Sequence, residues 1–452
     1  MTLRVLIIGA GTGGLALAHL LKKSNTNVSF AVFERDRTRS DGLQGYRVGI
    51  SPEGARSLAA CIPPELFTIF QQTAAATPDY FNMLTEQLDE LISIDGFSRA
   101  SADGVAAEYS VSRMTLRQLL LTGLEDHVQF DKHFSHYAQN EEDGTVTAHF
   151  KDGSSEIGDM LVGAEGTNSP TRKQYLPHAV IKESGLYGLG TKAPLNEETR
   201  ALLTPQMLRG VTMVQAPRGD STIIHVMEFP WDDAHKPTAS SIGGTDAALL
   251  RAWPGAHFDN TRDYILLGFG AHGDRVPAGI TTMDGDAIHA FLLQQTASWH
   301  PHLKRLFALS DPSTSFALNI RTTERLAPWT STNVTLLGDA IHTMTPGLGV
   351  GANTALLDAR ILGDHLVRVA KDELGIVDAI ANYEGQMHSY AWERVEKSLE
   401  RFNKDDAIYK PGVTGWLAMM AMRGGLRLVN AIPPLKRKMA AQMNRQRGQT
   451  EE

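Results

Sequence analysis

Uninterrupted aliphatic runs recur along the chain, and glycine-rich turns follow them. The first run, RVLII, precedes glycines 9, 11 and 14 and then a helical pattern rich in small residues, while VSFAVF, MLVG and VTLLG have the same aliphatic character. A strand of a parallel sheet is covered on both faces and therefore forms such a run. The pattern predicts a parallel sheet whose first strand leads through a glycine loop into a helix.

Other segments alternate between apolar and polar residues. They are GVTMVQAP, STIIHVMEF, YILLGFGAH and TSFALNIRTT, and all lie between residues 177 and 324. Alternation of this kind is typical of an antiparallel sheet with one open face. We therefore predict an α/β chain in which a Rossmann-like domain is interleaved with an antiparallel β-sheet domain and followed by C-terminal helices.

Two local elements complete the prediction. A hairpin that returns to the parallel sheet is predicted from VTAHF, the turn residues Asp152 and Gly153, and EIGDMLVG. Residues 111–124 carry leucines on one helical face, with Arg113 near the start. At that position an arginine either forms a surface ion pair or reaches a ligand's phosphate or ribityl chain.

Composition narrows the class of protein. The 452 residues are 42% apolar and 21% charged, and the net charge of −8 is spread along the chain, which argues against a nucleic-acid partner. A single cysteine, Cys61, excludes an internal disulfide framework and fits a reducing, cytoplasmic compartment. We find no secretory signal and no apolar run of membrane-spanning length. The segment GWLAMMAM, cut short by Arg423, either packs on the body of the protein or makes a peripheral membrane contact.

The first glycine loop carries the spacing of a dinucleotide site. Gly9 permits a tight turn, Gly11 lets the backbone approach a pyrophosphate, and Gly14 lets the helix lie close to the sheet. Glu34, at the end of the second aliphatic run, is placed to accept both ribose hydroxyls. We assign Arg35, the next residue, to the same predicted cofactor contacts. The motif alone leaves NAD and FAD open.

Three motifs in order resemble those of the class A flavoprotein monooxygenases of the p-hydroxybenzoate hydroxylase superfamily. GAGTGG with Glu34 resembles the family's FAD-ADP motif, GAEGTNSPTR its middle motif, and LLGDAIHTMTPGLGVGAN its third motif. The resemblance extends over most of the chain. It implies an extended FAD whose ADP half lies on the first helix and whose flavin ring reaches the third motif.

The resemblance implies cofactor contacts for several residues of the third motif. Asp339 would hydrogen-bond the ribityl hydroxyls, and Pro346 would lie against the flavin ring. Gly351, Ala352 and Asn353 open the next helix, whose N–H groups would stabilise negative charge at N1 and O2 of the reduced flavin.

Other residues receive roles with an open alternative. By resemblance, Arg113 would contact the ribityl or pyrophosphate group and Arg47 would lie near the flavin, with an ion pair at a sheet edge as the alternative for Arg47. His342 is expected to support the loop rather than take part in chemistry. The family's middle motif has Asp where this chain has Glu165, a departure that bears on reduction by NADPH more than on FAD binding.

The motifs also define a domain organisation. Residues 1–75, 101–176 and 325–375 are expected to form the FAD-binding domain, residues 76–100 and 177–324 the substrate-binding sheet, and residues 376–452 a C-terminal helical segment. Four residues are candidates to line the pocket, with core packing as the alternative for each: Phe229, Trp231, Phe269 and His272.

The predicted function is FAD-dependent, NADPH- or NADH-using monooxygenation of an aromatic or alkene-bearing small molecule by O2, through a flavin C4a-hydroperoxide. The flavin carries the chemistry, so no catalytic side chain is assigned. His300 and His302 lack further ligands, and we expect no metal. The alternatives are a flavin oxidase, dehydrogenase or cyclase on the same scaffold, and a catalytically silent flavin-binding module.

Overall fold

The computed structural model describes residues 2–39, 46–96, 108–229, 263–400 and 406–446. The pocket candidate Trp231 lies outside these residues. Within them the strands, numbered in chain order, are β1 Leu3–Ile8, β2 Val28–Phe33, β3 Arg47–Ile50, β4 Tyr80–Thr85, β5 Glu90–Asp95, β6 Tyr109–Ser112, β7 Val128–Gln129, β8 Phe134–Gln139, β9 Val146–Phe150, β10 Ser155–Gly158, β11 Met160–Gly163, β12 Ile181–Pro194, β13 Gly210–Gln215, β14 Ser221–Met227, β15 Tyr264–His272, β16 Asp311–Thr323 and β17 Val334–Leu336.

The helices pack around these strands. In chain order they are α1 Thr12–Lys23, α2 Pro52–Cys61, α3 Pro64–Thr73, α4 Arg113–Leu121, α5 Pro170–Tyr175, α6 Glu197–Ala201, α7 Pro205–Leu208, α8 Gly285–Gln295, α9 Pro301–Ala308, α10 Asp339–His342, α11 Gly351–Ala370, α12 Ile376–Glu400, α13 Gly412–Ala431 and α14 Pro433–Gln446. Short 3-10 turns include Pro346–Leu348 before α11 and Ala407–Tyr409 before α13.

A five-stranded parallel sheet has the order β17-β11-β1-β2-β7. The aliphatic run of β1 supplies both of its faces: Val5 and Ile7 pack into one hydrophobic cluster, while Leu6 and Ile8 pack into another. The continuous run therefore arises from burial on two sides, as expected for a parallel strand. The prediction of an α/β fold with a parallel sheet is confirmed.

A second sheet has seven strands in the order β16-β12-β15-β14-β13-β4-β5. Its pairs are antiparallel except β13 and β4, which run parallel. This differs from the purely antiparallel expectation because β4 comes from a distant segment rather than from a hairpin with β13, so no tight turn fixes its direction. The predicted hairpin of β9 and β10 forms around Gly153, whose φ is +84°.

The two faces of the seven-stranded sheet differ. On one face Ile265, Leu267 and Phe269 of β15 pack with residues of α8 and α9 in a buried cluster. The other face carries glycines at alternate positions, and Gly188 pairs with Gly270 while Gly190 pairs with Gly268. The sheet therefore presents a helix-covered face and a face that contains a patch of four glycines.

The C-terminal helices divide between the two sheets. Tyr383 and Trp392 of α12 are fully buried in the main core beside the parallel sheet, whereas α13 packs on β5 at the edge of the seven-stranded sheet. Among the helices that the structure describes, none combines the length and the apolar character needed to cross a membrane.

Candidate cofactor and substrate site

The three glycine motifs meet at one edge of the parallel sheet. They follow β1, β11 and β17, which are neighbours in the order β17-β11-β1, and the carboxyl ends of parallel strands lie on the same side. A Cβ on Gly9 would lie 2.5 Å from the Ala164 carbonyl oxygen, and a Cβ on Gly13 would lie 2.5 Å from Leu337 Cδ1. Loops more than 150 residues apart in sequence are thus in van der Waals contact.

The first loop is built for close approach. Gly9 adopts a φ of +109°, and a Cβ on Gly14 would lie only 2.3 Å from the Gly9 carbonyl oxygen. Gly11 differs, because its Cβ would meet nothing closer than the Ala164 carbonyl oxygen at 4.0 Å. No side chain caps the start of α1, so its first N–H groups are open to an anion.

Glu34 is buried at the end of β2 beside this loop. Its carboxylate accepts hydrogen bonds from the backbone N–H groups of Ala10 (2.8 Å) and Asp36 (3.0 Å). Arg117 Nη2 lies 3.8 Å from Glu34 and 2.8 Å from Asp36. These contacts fix the carboxylate where the dinucleotide motif requires it, while the adjacent Arg35 is exposed.

Glu165 of the middle motif turns into its own loop. Its carboxylate accepts hydrogen bonds from Ser169 Oγ (2.7 Å) and from the Thr171 backbone N–H (3.1 Å), and Thr171 Oγ1 also donates to it. Burial raises the pKa of Glu165, and these hydrogen bonds oppose the rise. Arg172 donates to the Ala340 carbonyl at 2.8 Å and so ties this loop to the third motif.

Asp339 opens the third loop directly after Gly338, whose φ is +62°. Its side chain is exposed although protein groups surround it closely. Partial desolvation raises the pKa of Asp339, whereas the positive charges of His342 and Arg113 act in the opposite direction. No donor among the described residues reaches its carboxylate, which leaves the oxygens available to a ligand.

A buried ion pair holds the third loop from behind. His342 Nε2 lies 2.6 Å from Asp358 Oδ2, and both side chains are fully buried. The same carboxylate accepts the Gly338 backbone N–H at 2.8 Å and the Tyr390 hydroxyl at 2.6 Å. Burial opposes the imidazolium, but Asp358 outweighs it and raises the pKa of His342. These contacts agree with the supporting role predicted for His342.

Asn353 ties the start of α11 to the neighbouring strand. Its side chain accepts the Ser51 N–H at 2.9 Å and donates to the carbonyls of Gly49 (3.0 Å) and Gly349 (3.1 Å). Only its backbone N–H, with those of Gly351 and Ala352, remains for a ligand, and no side chain caps this helix. Pro346 lies exposed in the turn before it.

The two arginines predicted near the flavin are placed differently. Arg47 forms an ion pair with the buried Glu108 and donates to Ser110 Oγ at 3.2 Å, which is the sheet-edge pair that the sequence left open. Arg113 is exposed, with its guanidinium carbon 5.8 Å from the ring centroid of Tyr46. Its positive charge opposes the rise in the pKa of Asp339.

The described pocket candidates do not share one surface. Phe269, 1% exposed, lies on the helix-covered face with its ring 6.0 Å from Trp299, which removes it from the residues that can line an open pocket. Phe229 is buried against Tyr264 and borders an open cavity of about 250 Å³ together with Tyr109. His272 ends β15 and contacts Asp274 at 2.7 Å.

Sequence reasoning missed a glycine patch on the open face of the seven-stranded sheet, formed by Gly188, Gly190, Gly268 and Gly270. The paired G-x-G spacings in YGLGTK and LGFGAH were the available signal, since glycine inside a strand often marks a close approach. The Phe316 ring lies over Gly190 and stacks on Tyr46 at 5.4 Å. Through Tyr46 and Arg113 the patch is connected to the third glycine loop.

Two polar residues on the same face, the half-buried Lys192 and the buried Tyr264, were also missed. Lys192 Nζ lies 4.6 Å from the ring centroid of Tyr264, and burial lowers the pKa of Lys192 to about 8. The Tyr264 hydroxyl has no hydrogen-bond partner among the described residues. A lysine and a phenol that are both partly desolvated give this face polar groups suited to an oxygen-bearing ligand.

The arrangement fits FAD by its chemistry. Two uncapped helix starts, α1 and α11, face the region where the loops meet, which suits a pyrophosphate at one end and an electron-rich ring at the other. The Asp339 carboxylate supplies an acceptor for a polyol between them. A dinucleotide without a ribityl chain would leave that acceptor unused.

Comparison with known proteins also indicates an FAD-binding protein. A sequence model of the family described as "FAD binding domain" matches residues 294–398. A crystal structure of a protein assigned as an FAD-containing monooxygenase from Photorhabdus luminescens subsp. laumondii TTO1 is 31% identical, with a TM-score of 0.74 over 89% of this chain and 98% of that one. The complex of Klebsiella pneumoniae HpxO with FAD and uric acid, 21% identical, shares the fold with a TM-score of 0.72 over 98% of this chain and 96% of that one.

A longer relative matches one region only. The dual O-methyltransferase/FAD-dependent monooxygenase CTB3 of Cercospora beticola is 32% identical over 416 residues, which are 87% of this chain and 45% of that protein. The chain therefore spans less than half the length of this curated relative.

Fold and site together define an FAD-binding oxidoreductase scaffold. The chain belongs to the class A flavoprotein monooxygenases of the p-hydroxybenzoate hydroxylase superfamily, and its cofactor is FAD. The resemblance drawn from the three motifs is confirmed.

Replacing Gly14 or Gly11 by alanine should separate folding from cofactor binding. Gly14→Ala forces a Cβ against a backbone carbonyl and should destabilise the apoprotein by about 1–3 kcal/mol. Gly11→Ala has room in the apoprotein, at an ordinary φ of −83°, so its stability should stay within about 0.5 kcal/mol while FAD affinity falls. Urea unfolding of the apoproteins and FAD titration check both; equal stability losses would contradict the assignment.

Asp339→Ala should lose most bound FAD, because the ribityl hydroxyls would lack their acceptor at about 1–3 kcal/mol per unmet group. Asp339→Asn, which keeps one acceptor oxygen, is the matched control and should retain an intermediate affinity. The measurement is the flavin-to-protein absorbance ratio after desalting, followed by titration of the apoprotein. An alanine variant that stays fully yellow would refute the role of Asp339.

The His342–Asp358 pair should stabilise the fold in a pH-dependent way. Since the folded pKa of His342 is raised, its contribution is complete below the unfolded value near 6.5 and is lost as pH rises through the folded value. His342→Leu should cost about 3–5 kcal/mol at pH 6 and less at pH 9, whereas Tyr390→Phe, which removes a hydrogen bond to the same carboxylate, should show no comparable trend. The measurement is urea unfolding of both variants from pH 6 to pH 9. A loss of unfolding free energy in His342→Leu that stays the same across this range would contradict the prediction.

Proposed function

We propose that the protein is an FAD-dependent monooxygenase that takes electrons from NADPH or NADH and inserts one oxygen atom from O2 into an aromatic or alkene-bearing small molecule. The observation that carries this proposal is the meeting of three glycine loops at one sheet edge, connected through Arg113, Tyr46 and Phe316 to the glycine patch of the seven-stranded sheet. Hydroxylation, epoxidation and oxidative dearomatisation all fall within it.

On the cofactor side, the protein contributes binding and electrostatics. Glu34 would hold the adenosine ribose, and the start of α1 the pyrophosphate. Asp339 would hold the ribityl chain. The uncapped start of α11 would stabilise negative charge on the ring. When bound, FAD supplies the electron transfer and the activation of O2.

On the substrate side, we propose that a flat ring lies against the glycine patch. The missing Cβ atoms at Gly188, Gly268 and Gly270 let a planar molecule approach the sheet backbone closely, beside the Phe316 ring that covers Gly190. Lys192 and Tyr264 would then orient an oxygen substituent, and the lowered pKa of Lys192 would let it exchange a proton near neutral pH. The uric acid in the HpxO complex is a planar ligand of this kind.

A flavin oxidase, dehydrogenase or cyclase is the second candidate. Glu165 favours it, because the carboxylate of the middle motif is bonded inside its own loop. A catalytically silent flavin-binding module would be expected to lack the ring-side loop, and residues 346–353 retain its sequence.

The test is flavin reduction followed under anaerobic conditions with NADPH or NADH, with and without a panel of aromatic compounds, and then product mass in air. The proposal predicts flavin bleaching, substrate-stimulated oxidation of the nicotinamide and a product heavier by one oxygen atom. Gly268→Leu should keep FAD but lose the stimulation, because it fills the glycine patch. Failure of both donors to reduce the flavin with every compound would favour the second candidate.

A further inference from the structure

Within the part of the chain that the structure describes, helix α13 is held to the protein by one face. Arg423 donates to the Gln215 carbonyl at 2.7 Å and contacts Glu86, and Asn430 donates to Glu90 at 2.8 Å. Gly415 and Met419 are the buried positions of the same helix. The helix is thus held at the edge of the seven-stranded sheet.

The opposite face of α13 is apolar and exposed. Val413 is 71% exposed, Trp416 61% and Leu428 59%, and Leu417 and Met420 lie between them. Their spacing of three, four, seven and fifteen residues from Val413 puts them on one side of a helix. The stripe extends about 22 Å at 1.5 Å per residue. Large apolar side chains this concentrated on a surface mark an interaction site.

A basic cluster follows immediately. Lys436, Arg437 and Lys438 lie in the first turns of α14, within eight residues of the end of α13, and Leu435 beside them is exposed. The residues Pro433–Gln446 include no aspartate or glutamate. Among the described residues, none of the three cations forms an ion pair. The chain as a whole carries a net charge of −8, so this local excess of positive charge runs against its overall balance.

We propose that this C-terminal surface (Val413, Trp416, Leu417, Met420, Leu428 and Leu435 with Lys436, Arg437 and Lys438) binds the interface of an anionic lipid bilayer. An apolar stripe containing a tryptophan, next to lysines and an arginine that form no ion pair with any described residue, has the chemistry of a helix lying in the headgroup region. The cations complement anionic headgroups while the apolar side chains leave water.

A second copy of the chain fits this surface less well. A two-fold dimer would use the same patch on both subunits, and residues 412–446 include no aspartate or glutamate that could pair with the partner's basic cluster. Six apolar side chains also fall well short of the roughly 20–30 residues that each partner contributes to a standard interface.

Membrane binding would place the seven-stranded sheet near the bilayer, since α13 packs on its edge strand β5. A poorly water-soluble substrate would then enter from the lipid phase. The lipid contact is independent of which reaction the flavin supports, so its failure leaves the proposed function untouched.

The test is co-sedimentation of the FAD-loaded full chain with vesicles of phosphatidylcholine alone or with 30% phosphatidylserine. We expect binding to the anionic vesicles, weakened by 0.5 M NaCl. W416E/L417E should abolish it, and K436Q/R437Q/K438Q should weaken it by about 100-fold, taking about five-fold per cation. Ile157→Glu alters a 58% exposed residue of β10 and is the matched control, which should bind like the wild type.

Retained flavin absorbance in each variant shows that the fold is intact. Absence of binding to either vesicle, or equal binding before and after the tryptophan and leucine substitutions, would overturn the proposal. A dimer in analytical ultracentrifugation that W416E/L417E dissociates, without vesicle binding, would assign the surface to a second copy instead.

Discussion

The carboxyl ends of three parallel strands lie in van der Waals contact, and this contact determines where each of the three glycine loops lies. At that edge Gly9 lies so near the Ala164 carbonyl that no side chain fits, and Leu337 fills the space beside Gly13. Because β1, β11 and β17 are parallel neighbours, loops from the beginning, middle and end of the chain share one surface. One long cofactor can therefore contact all three motifs.

Hydrogen bonds and charges around the third glycine loop hold it in place and leave one carboxylate accessible. The Asp358 carboxylate accepts hydrogen bonds from the His342 imidazole, the Gly338 N–H and the Tyr390 hydroxyl. These hydrogen bonds hold the turn in which Asp339 lies. Asp339 itself remains accessible, with Arg113 as a nearby positive charge. Both oxygens of the buried Asp358 carboxylate thus accept hydrogen bonds where they support the loop, whereas the Asp339 carboxylate is accessible to a ligand.

The sequence predicted the parallel sheet, the glycine loops and their common cofactor, because each depends on local spacing or on ordered motifs. It did not predict long-range partners. Residues 111–124 were expected to be helical throughout, yet Val111 and Ser112 belong to β6, since they pair with β3 some sixty residues earlier. The ion pair of Arg47 with Glu108 likewise depends on that pairing.

Alternation of apolar and polar residues along β15 shows that the strand has two different faces, but it does not show which face the helices cover. For this reason Phe269 was taken as a pocket candidate and the glycine patch was overlooked. Only the packing of α8 and α9 decides that question. Glu165 shows the same limit: its extra methylene was visible in the sequence, but its hydrogen bonds to Ser169 and Thr171 depend on how the loop folds.

A crystal structure of the FAD complex would show whether all three glycine loops hold a single cofactor. We expect one extended FAD with its adenosine beside Glu34, its ribityl chain within hydrogen-bond distance of Asp339, and its ring against residues 346–353. A flavin ring located away from residues 339–353 would contradict it.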